Sequence, residues 1–296
     1  MRLYAYPGNE RLRDALAARL GVGRGSADWH RFPDGETLVR IDTPPDGEVC
    51  LVCTLDDPDP KILPLLFAAD ALRTQGATRV GLVAPYLAYM RQDKSFNAGE
   101  AVSSHHFSAL LAQHFDWLVT VDPHLHRLLD LGEVFPRPYR VLHAAPLLGA
   151  WIQANVANPL LIGPDAESAQ WVSAVAAKLG APWTYLTKQR YGDLEVSMSL
   201  PVDAPKGEGR RPVLVDDIVS SGRTLAEAAR LLKEQGHGAP WCVAVHGLFA
   251  GDARSVLDAA GFVCIAVTNT VTQPESVIDV TSLLEAGMQD LISTGT

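Results

Sequence analysis

The sequence predicts an α/β protein built from two similar halves, each a largely parallel sheet flanked by helices. Short apolar runs alternate with amphipathic stretches along all 296 residues, and this alternation is typical of a parallel sheet with helices on both faces. The pattern runs twice, so we predict one domain over residues 1–145 and a second over residues 146–296. A hydrophobic content of 47% with 20% charged residues indicates a globular protein.

The individual elements follow from the positions of the apolar runs. The predicted strands are Arg2–Tyr6, Val49–Thr54, Val80–Ala84, Leu118–Asp122, Leu160–Gly163, Trp183–Thr187, Val213–Val215, Trp241–His246 and Val263–Val267. The predicted helices are Glu10–Leu20, Ile62–Gln75, Ser104–His114, Pro146–Val156, Glu167–Leu179, Thr224–Gln235 and Ala253–Ala260. Glycine follows several of these helices, as expected where a helix ends in the left-handed conformation.

Charge and cysteine usage narrow the function classes. The chain has 25 Lys and Arg against 34 Asp and Glu, a formal charge of −9, which argues against nucleic acid or an anionic membrane as partner. The N-terminus is not typical of a signal peptide, and we expect no transmembrane helix. Cys50 and Cys53 form a CxxC inside a predicted strand, where residues three apart face opposite sides. We interpret them, with Cys242 and Cys264, as reduced core thiols of a cytoplasmic protein.

The strongest chemical motif lies between residues 213 and 224. Val213–Val215 is apolar enough to be a buried strand, and Asp216 and Asp217 follow it directly. The segment Ser220-Ser221-Gly222-Arg223-Thr224 then opens a predicted helix, so its N–H groups and hydroxyls can bind a phosphate. Two adjacent carboxylates suit the vicinal hydroxyls of a ribose. A 5-phosphoribosyl group satisfies both halves, whereas the alternative is a capped helix with solvated acids.

Four other segments are weaker candidates when each is taken alone. The Phe32-Pro33-Asp34-Gly35-Glu36 segment offers an aromatic ring and acids for a base, but it also fits an ordinary turn. Arg91 suits a phosphate and Gln92 a base edge or ribose, or both lie in a solvated turn. His124 follows a strand and suits a metal or a phosphate. The Lys188-Gln189-Arg190 segment offers two cations to a polyphosphate, or forms a solvated turn.

These motifs together resemble a known family. The 213–224 segment resembles the phosphoribosyl-binding motif of the phosphoribosyltransferase fold, and two such domains in one chain resemble ribose-phosphate diphosphokinase (phosphoribosyl diphosphate, or PRPP, synthetase). Further segments are similar in the family's order: Phe32-Pro33-Asp34-Gly35-Glu36, Arg91-Gln92-Asp93, Val121-Asp122-Pro123-His124, Gly163-Pro164-Asp165 and Lys188-Gln189-Arg190. The resemblance covers nearly the whole chain, and Phe96-x-x-Gly99-Glu100 is similar to archaeal-type members.

The resemblance implies two phosphoribosyltransferase-like domains that convert ATP and ribose 5-phosphate into AMP and PRPP with Mg²⁺. It implies an ATP side formed by Phe32, Asp34, Glu36, Arg91, Gln92 and Asp93. It implies a ribose 5-phosphate side formed by Arg190, Asp216, Asp217, Ser220, Ser221, Gly222, Arg223 and Thr224. Lys188 and Arg190 would be catalytic, and His124 and Asp165 would hold the metal. A homo-oligomer is also implied, with the Phe32–Glu36 segment reaching a neighbouring subunit, and the last helix is a candidate for packing on the N-terminal domain.

Two alternatives stay open at this level. A phosphoribosyltransferase that consumes PRPP would bind the sugar phosphate alike, but would give the N-terminal segments and Lys188-Gln189-Arg190 no role. A catalytically silent relative that regulates another enzyme stays open because Ala166-Glu167-Ser168 stands where many members have glycines, whereas the joint presence of the two loop cations, His124, Asp165 and the acid pair argues against it.

Overall fold

The computed structural model describes residues 1–95, 97–125, 128, 130–191, 195–201, 205 and 209–293; of residues 188–191, 195–198 and 293 it describes the backbone alone. The chain folds into two compact units. Unit 1 comprises Met1–Leu142 together with Thr281–Thr296, and unit 2 comprises His143–Val280.

Unit 1 is built around one parallel sheet. Its strands are β1 (Arg2–Ala5), β2 (Gly23–Arg24), β3 (Ala27–Arg31), β4 (Thr37–Ile41), β5 (Glu48–Val52), β6 (Arg79–Val83), β7 (Trp117–Val121) and β8 (Tyr139–Leu142). Its first helices are α1 (Glu10–Leu20), α2 (Asp59–Thr74) and α3 (Ser103–His114), and a 3₁₀ turn spans Leu131–Glu133. The sheet order is β2-β1-β5-β6-β7-β8, and every residue of β7 is buried.

Strands β3 and β4 stand outside this sheet as an antiparallel hairpin. The sequence analysis predicted neither strand, because nearly all of their side chains are half-buried or exposed and they form no apolar run. The turn that joins them is residues 32–36.

Unit 2 repeats the architecture. Its strands are β9 (Pro159–Gly163), β10 (Trp183–Tyr185), β11 (Thr187–Tyr191), β12 (Glu195–Ser199), β13 (Arg211–Val219), β14 (Trp241–Gly247), β15 (Ile265–Thr268) and β16 (Ser276–Ile278). Its helices are α4 (Ala145–Asn155), α5 (Ala169–Leu179), α6 (Arg223–Glu234) and α7 (Ala253–Ala260). The parallel sheet has the order β10-β9-β13-β14-β15-β16, and β11 pairs with β12 as a separate antiparallel hairpin.

The C-terminal helix α8 (Thr281–Ser293) belongs to unit 1, where it lies against α1, β7 and β8. Arg19 of α1 donates to Glu285 at 2.5 Å, and Arg140 of β8 donates to Asp290 at 3.2 Å. Unit 1 is therefore closed by the last helix of the chain.

The α/β fold class is confirmed, with largely parallel sheets flanked by helices in both units. The boundaries of one important element were predicted wrongly. Strand β13 runs to Val219 and does not end at Val215, because its backbone continues to pair with β14: Asp216 lies opposite Ala244, and Ile218 lies opposite His246. The two acids therefore lie within the strand rather than after it.

Candidate active site

The acid pair lies near the carboxyl end of β13, the edge at which ligands of parallel sheets bind. Asp217 is 4% exposed, and Asp216 is half-buried. The backbone N–H of Asp217 donates to Oδ1 of Asp216 at 3.0 Å. The strand fixes the backbone position of both residues.

Burial raises the pKa of Asp216 well above its usual range, and the nearby charges of Asp217 and Asp165 raise it further. Asp165 follows β9, which pairs with β13 in parallel. Three carboxylates thus act on one another at this edge of the sheet. Such a concentration of negative charge is expected where a cation or sugar hydroxyls bind.

The loop that carries Asp165 is fixed by Ser168, which is 1% exposed. The Ser168 N–H donates to Oδ1 of Asp165 at 3.0 Å, and the Ser168 hydroxyl donates to the Asp165 carbonyl at 2.6 Å. Ala166 and Glu167 are exposed between them. The Ala166-Glu167-Ser168 segment therefore forms an ordered turn that orients the acid.

The predicted phosphate loop runs from Ser220 to Thr224 and ends at the start of α6. Gly222 precedes the helix with a φ of 71°, and no side chain caps this helix end. A Cβ atom at Gly222 would lie 2.8 Å from Cγ of Leu257, so only glycine fits. The first N–H groups of a helix have no intrahelical acceptor, and the first turn of α6 holds no acid. The helix start is therefore open to an anion.

Arg223 donates to both carboxylate oxygens of Asp252 at 3.2 and 3.3 Å. Both side chains are largely exposed. The guanidinium that the sequence analysis assigns to the phosphate is thus paired with Asp252, the residue that precedes α7.

Lys188 and Arg190 lie in β11, where their backbones pair with Met198 and Val196 of β12. The two side chains lie outside the part of the chain that the structure describes. The Lys188-Gln189-Arg190 segment is therefore a strand with respect to its backbone.

In unit 1, residues 32–36 form the tip of the β3–β4 hairpin. The Phe32 N–H donates to the Glu36 carbonyl at 2.8 Å, and the Glu36 N–H donates to Oδ1 of Asp34 at 3.1 Å. The Phe32 ring is 40% exposed and meets the His30 ring edge-on at 4.6 Å. The aromatic ring and both acids are thus presented to the outside.

A cleft of about 760 Å³ lies beside this tip. The hairpin contributes Arg31, Asp34, Gly35, Glu36 and Thr37, and α2 contributes Asp59, Pro60, Leu63, Pro64 and Phe67. Leu63 and Phe67 are 58% and 46% exposed. The cleft therefore combines charged groups with an exposed apolar face.

The Arg91-Gln92-Asp93 segment follows β6 in a tight turn. The Gln92 N–H donates to the Tyr89 carbonyl at 3.0 Å, and the Gln92 carbonyl accepts from the Ser104 N–H at 3.2 Å. Arg91 and Gln92 are exposed, whereas Asp93 is 8% exposed. The turn thus presents Arg91 and Gln92 and buries Asp93.

Two residues that sequence reasoning missed hold this turn. Tyr89 has a φ of 66°, its ring lies 4.8 Å from that of Phe107, and its hydroxyl donates to Asp59. That hydrogen bond to a carboxylate raises the pKa of Tyr89 to about 12. No local pattern marks Asp59, because its partner is 30 residues away.

His124 is half-buried and lies close to the carboxyl end of β7. Asp122, two residues earlier, has a φ of 33° and donates its N–H to the Leu142 carbonyl at 2.8 Å. Over the described ranges, no group of three or more His, Cys, Asp or Glu side chains is arranged to hold a metal ion.

The four cysteines are free thiols; Cys264 is half-buried and the others are buried. Burial raises the pKa of Cys53 to about 12, so it stays protonated. The interpretation as core thiols is consistent with this geometry. No helix among the residues described is long and apolar enough to cross a membrane.

The geometry defines a class of protein: the chain has two phosphoribosyltransferase-like units, and the second unit carries the predicted phosphate loop. Comparison with known proteins identifies the family. Residues 1–114 match the N-terminal domain of ribose phosphate pyrophosphokinase, and residues 137–280 match the phosphoribosyl transferase domain.

Similar proteins extend this match over nearly the whole chain. The chain is 33% identical to the ribose-phosphate pyrophosphokinase of Methanopyrus kandleri, over 93% of this chain and 94% of that protein. It is 34% identical to that of Thermococcus kodakarensis, over 92% and 93%. The crystal structure of phosphoribosylpyrophosphate synthetase from Mycobacterium smegmatis superimposes with a TM-score of 0.87 at 25% identity, covering 99% of both chains.

The chain therefore belongs to the ribose phosphate pyrophosphokinase family. The resemblance drawn from the sequence motifs is confirmed, and both of the curated relatives named above are archaeal.

Proposed function

We propose that the protein transfers the β,γ-diphosphoryl group of ATP to O1 of ribose 5-phosphate, giving PRPP and AMP. The family to which the chain belongs supports this activity. The observation that carries it is local to unit 2: an acid pair fixed in β13, followed by the uncapped, glycine-led start of α6. These two features suit the hydroxyls and the phosphate of one pentose phosphate.

In unit 2, Asp216 and Asp217 accept hydrogen bonds from the ribose hydroxyls. Ser220, Ser221, Gly222, Arg223 and Thr224 hold the 5-phosphate with backbone N–H groups, hydroxyls and the positive end of the helix dipole. Arg223 exchanges Asp252 for the phosphate when the sugar binds. The sugar is thereby oriented with O1 directed away from the phosphate loop.

In unit 1, Arg91 and Gln92 bind the nucleotide, and Asp93 fixes their turn. Phe32, Asp34 and Glu36 hold adenine, with the ring stacking on the base and the acids accepting from its amine. Because the hairpin tip is exposed, we propose that it serves the nucleotide of a neighbouring subunit.

Lys188 and Arg190 stabilise the charge on the diphosphoryl group as it moves. Transfer of a phosphoryl group depends mainly on positioning and charge neutralisation, since the protein forms no covalent bond in this reaction. Removing either cation therefore acts on turnover, and Arg190 also contributes to the binding of ribose 5-phosphate.

Mg²⁺ fits this residue set. Mg²⁺ prefers oxygen ligands, keeps several waters and usually takes one or two carboxylates together with substrate phosphates. The carboxylates of Asp165, Asp216 and Asp217 do not by themselves form a complete ligand group, but they offer such oxygens, and a cation would offset the repulsion that the charges of Asp217 and Asp165 exert on Asp216. Asp165 would hold the ion near the sugar and His124 near ATP; when bound, it neutralises the polyphosphate.

A product assay tests the proposal. Purified protein is incubated with Mg²⁺, ATP and ribose 5-phosphate, and AMP and PRPP are quantified. Equal amounts of AMP and PRPP are expected. Consumption of PRPP with a free base would favour a phosphoribosyltransferase, and no turnover with intact ATP binding would favour a silent relative.

We also propose a homo-oligomer of at least two subunits in the cytoplasm. Phe32, Leu63 and Phe67 are exposed on unit 1 and are candidates for burial against a second copy. The free thiols suit a reducing compartment. Light scattering of the active protein tests the assembly, and an active monomer at assay concentration would reject it.

A further inference from the structure

The start of the phosphate loop is held by the segment that follows β14. The N–H groups of Leu248 and Phe249 donate to the Val219 carbonyl at 2.9 and 3.1 Å, and the Ala250 N–H donates to the Ser220 carbonyl at 3.1 Å. The Val219 carbonyl immediately precedes the loop that we assign to the 5-phosphate, and the Ser220 carbonyl belongs to the first residue of that loop. The position of the loop therefore depends on the position of residues 248–250.

Phe249 is held in a conformation that its side chain disfavours. Its φ is 44°, and its side chain is 6% exposed. A bulky residue in this region is strained and persists where its surroundings fix it. The ring covers Gly247 so closely that a Cβ there would lie 2.6 Å from Cε2 of Phe249.

Arg254 fixes the ring from the solvent side. Its guanidinium carbon lies 4.7 Å from the centroid of the Phe249 ring. The same guanidinium donates to the carboxylate oxygens of Glu275 at 3.1 and 3.2 Å and to Oε1 of Gln273 at 2.6 Å. A planar cation bonded in this way has one orientation, which suits stacking on an aromatic face.

The helix that carries Arg254 touches the phosphate loop a second time. Arg254 and Leu257 both belong to α7. Leu257 is buried, and its Cγ atom lies 2.8 Å from the position that a Cβ atom of Gly222 would take. Helix α7 is therefore connected to the start of the loop through the contact of Arg254 with Phe249. It packs against the middle of the loop through Leu257.

We propose that Arg254 and Phe249 are a positioning pair that sets the affinity for ribose 5-phosphate by holding the phosphate loop through residues 248–250. This inference rests on the proposed function of that loop. Phe249 and Arg254 lie outside the set of residues predicted from the sequence, because Phe249 acts through its hydrogen bond to Val219 and Arg254 acts through the Phe249 ring.

A merely structural role would predict a different outcome. Phe249 is also part of the hydrophobic core of unit 2, so its truncation lowers stability in either case. Arg254 separates the two roles, because it is largely outside that core, with 45% of its side chain exposed. The decisive measurements are therefore made on Arg254 variants.

The experiment compares Arg254→Met, Arg254→Lys and Arg230→Met in the full-length protein. Arg230 is a matched control, since it is an exposed arginine of unit 2 that pairs with Glu234. For each variant, KM is measured for ribose 5-phosphate and for ATP, together with kcat, the dissociation constant for ribose 5-phosphate by calorimetry, and the urea midpoint.

Arg254→Met is expected to raise both KM and the dissociation constant for ribose 5-phosphate about threefold, the range of one exposed cation–π contact. Its KM for ATP and its kcat should stay within about twofold of wild type. Arg254→Lys keeps the cation and should recover most of the affinity, and Arg230→Met should match wild type.

Unchanged affinity for ribose 5-phosphate in Arg254→Met overturns the inference, and so does an equal rise of KM for both substrates. Thr224→Val separates this failure from failure of the proposed function. If Thr224→Val weakens ribose 5-phosphate binding while Arg254→Met does not, only the positioning role is wrong. If Thr224→Val also leaves binding unchanged, the loop does not hold the 5-phosphate, and both proposals are wrong.

Discussion

The two sheets share one strand order, yet the third strand of each leads into a loop of opposite character. In unit 1, β5 leads to α2. There Lys61 donates to the Thr54 carbonyl at 3.1 Å and to Asp56 at 2.5 Å, and the Thr54 N–H donates to Asn9 at 2.9 Å. The polar groups of this loop are thus bonded to one another.

In unit 2, the equivalent strand β13 leads to α6 through Gly222. Asp59 stands in the first turn of α2, where its charge repels an anion, whereas the first turn of α6 has no acid; neither helix start is capped by a side chain. A shared sheet does not by itself make a phosphate site. Under the proposed function, the loop residues of unit 2 bind the phosphate, whereas in unit 1 the protein's own groups bond to one another at the equivalent place.

The largest expected effect concerns the cations of β11, which have no counterpart in the β5–α2 loop. Lys188→Ala and Arg190→Ala are each expected to lower kcat about 10²–10³-fold, as removal of one donor to transition-state charge typically does. Steady-state kinetics measure the loss, and circular dichroism checks that the fold survives. Near-normal turnover in both variants would remove these cations from the mechanism.

A smaller but sharper effect is expected from Gly222→Ala. The new Cβ meets Leu257, and the φ of 71° is itself unfavourable for alanine. We expect KM for ribose 5-phosphate to rise more than about tenfold, because the phosphate loop must move. Steady-state kinetics with ribose 5-phosphate varied and ATP saturating measure this change.

Gly236→Ala is the matched control for this change. Gly236 has a φ of 83°, but no atom lies within 4 Å of its Cβ position. This variant should lose about 1 kcal/mol of stability and keep its KM. An equal rise of KM in both variants would show that strain, rather than displacement of the loop, is responsible.

The proposed assignment of ribose 5-phosphate to unit 2 and of ATP to unit 1 is tested by measuring KM for each substrate in turn. Asp216→Ala is expected to raise KM for ribose 5-phosphate about tenfold and to leave KM for ATP nearly unchanged, whereas Arg91→Ala should do the reverse. The reason is that a charged hydrogen bond is lost to one substrate only. Equal losses for both substrates in Asp216→Ala would mean that the acid holds a shared metal.

Much of this site was predictable because its chemistry is local in sequence. Asp216, Asp217 and Gly222 lie within a few residues of one another, so a single sequence motif contains all three. The apolar run ends at Val215, before the two acids, so the sequence does not predict that β13 continues to Val219. Backbone pairing of Asp216 with β14 decides the boundary instead, and side-chain polarity does not report it.

The supporting residues were not predictable, because their partners are distant in the chain. Phe249 bonds to Val219, and Tyr89 bonds to Asp59, each across about 30 residues. Both have a positive φ without being glycine. No propensity rule assigns such a conformation to an aromatic residue, so the tertiary contacts that impose it must be seen.

The smallest expected effect concerns the stability of the two units, which should respond with opposite sign to removal of one acid, Asp216 of strand β13 or Asp56 of the loop after β5. Burial and two neighbouring carboxylates raise the pKa of Asp216, so the folded protein binds a proton that the unfolded chain has already released. Between the ordinary carboxyl pKa of about 3.9 and the raised value, stability therefore falls as pH rises. Above this window the charge of Asp216 destabilises the folded state fully.

Asp216→Asn should consequently raise the free energy of unfolding at pH 7 by about 1 kcal/mol, with no gain near pH 3. Asp56→Asn in unit 1 should lower it by less than about 1 kcal/mol, because it removes the partner of Lys61. Urea unfolding in the presence of EDTA and without substrate measures both, and the exposed Glu227→Gln serves as the neutral control. Destabilisation by Asp216→Asn at pH 7 would mean that the Asp216 carboxylate stabilises the end of β13, and the contrast with the paired acid of the β5–α2 loop would then fail.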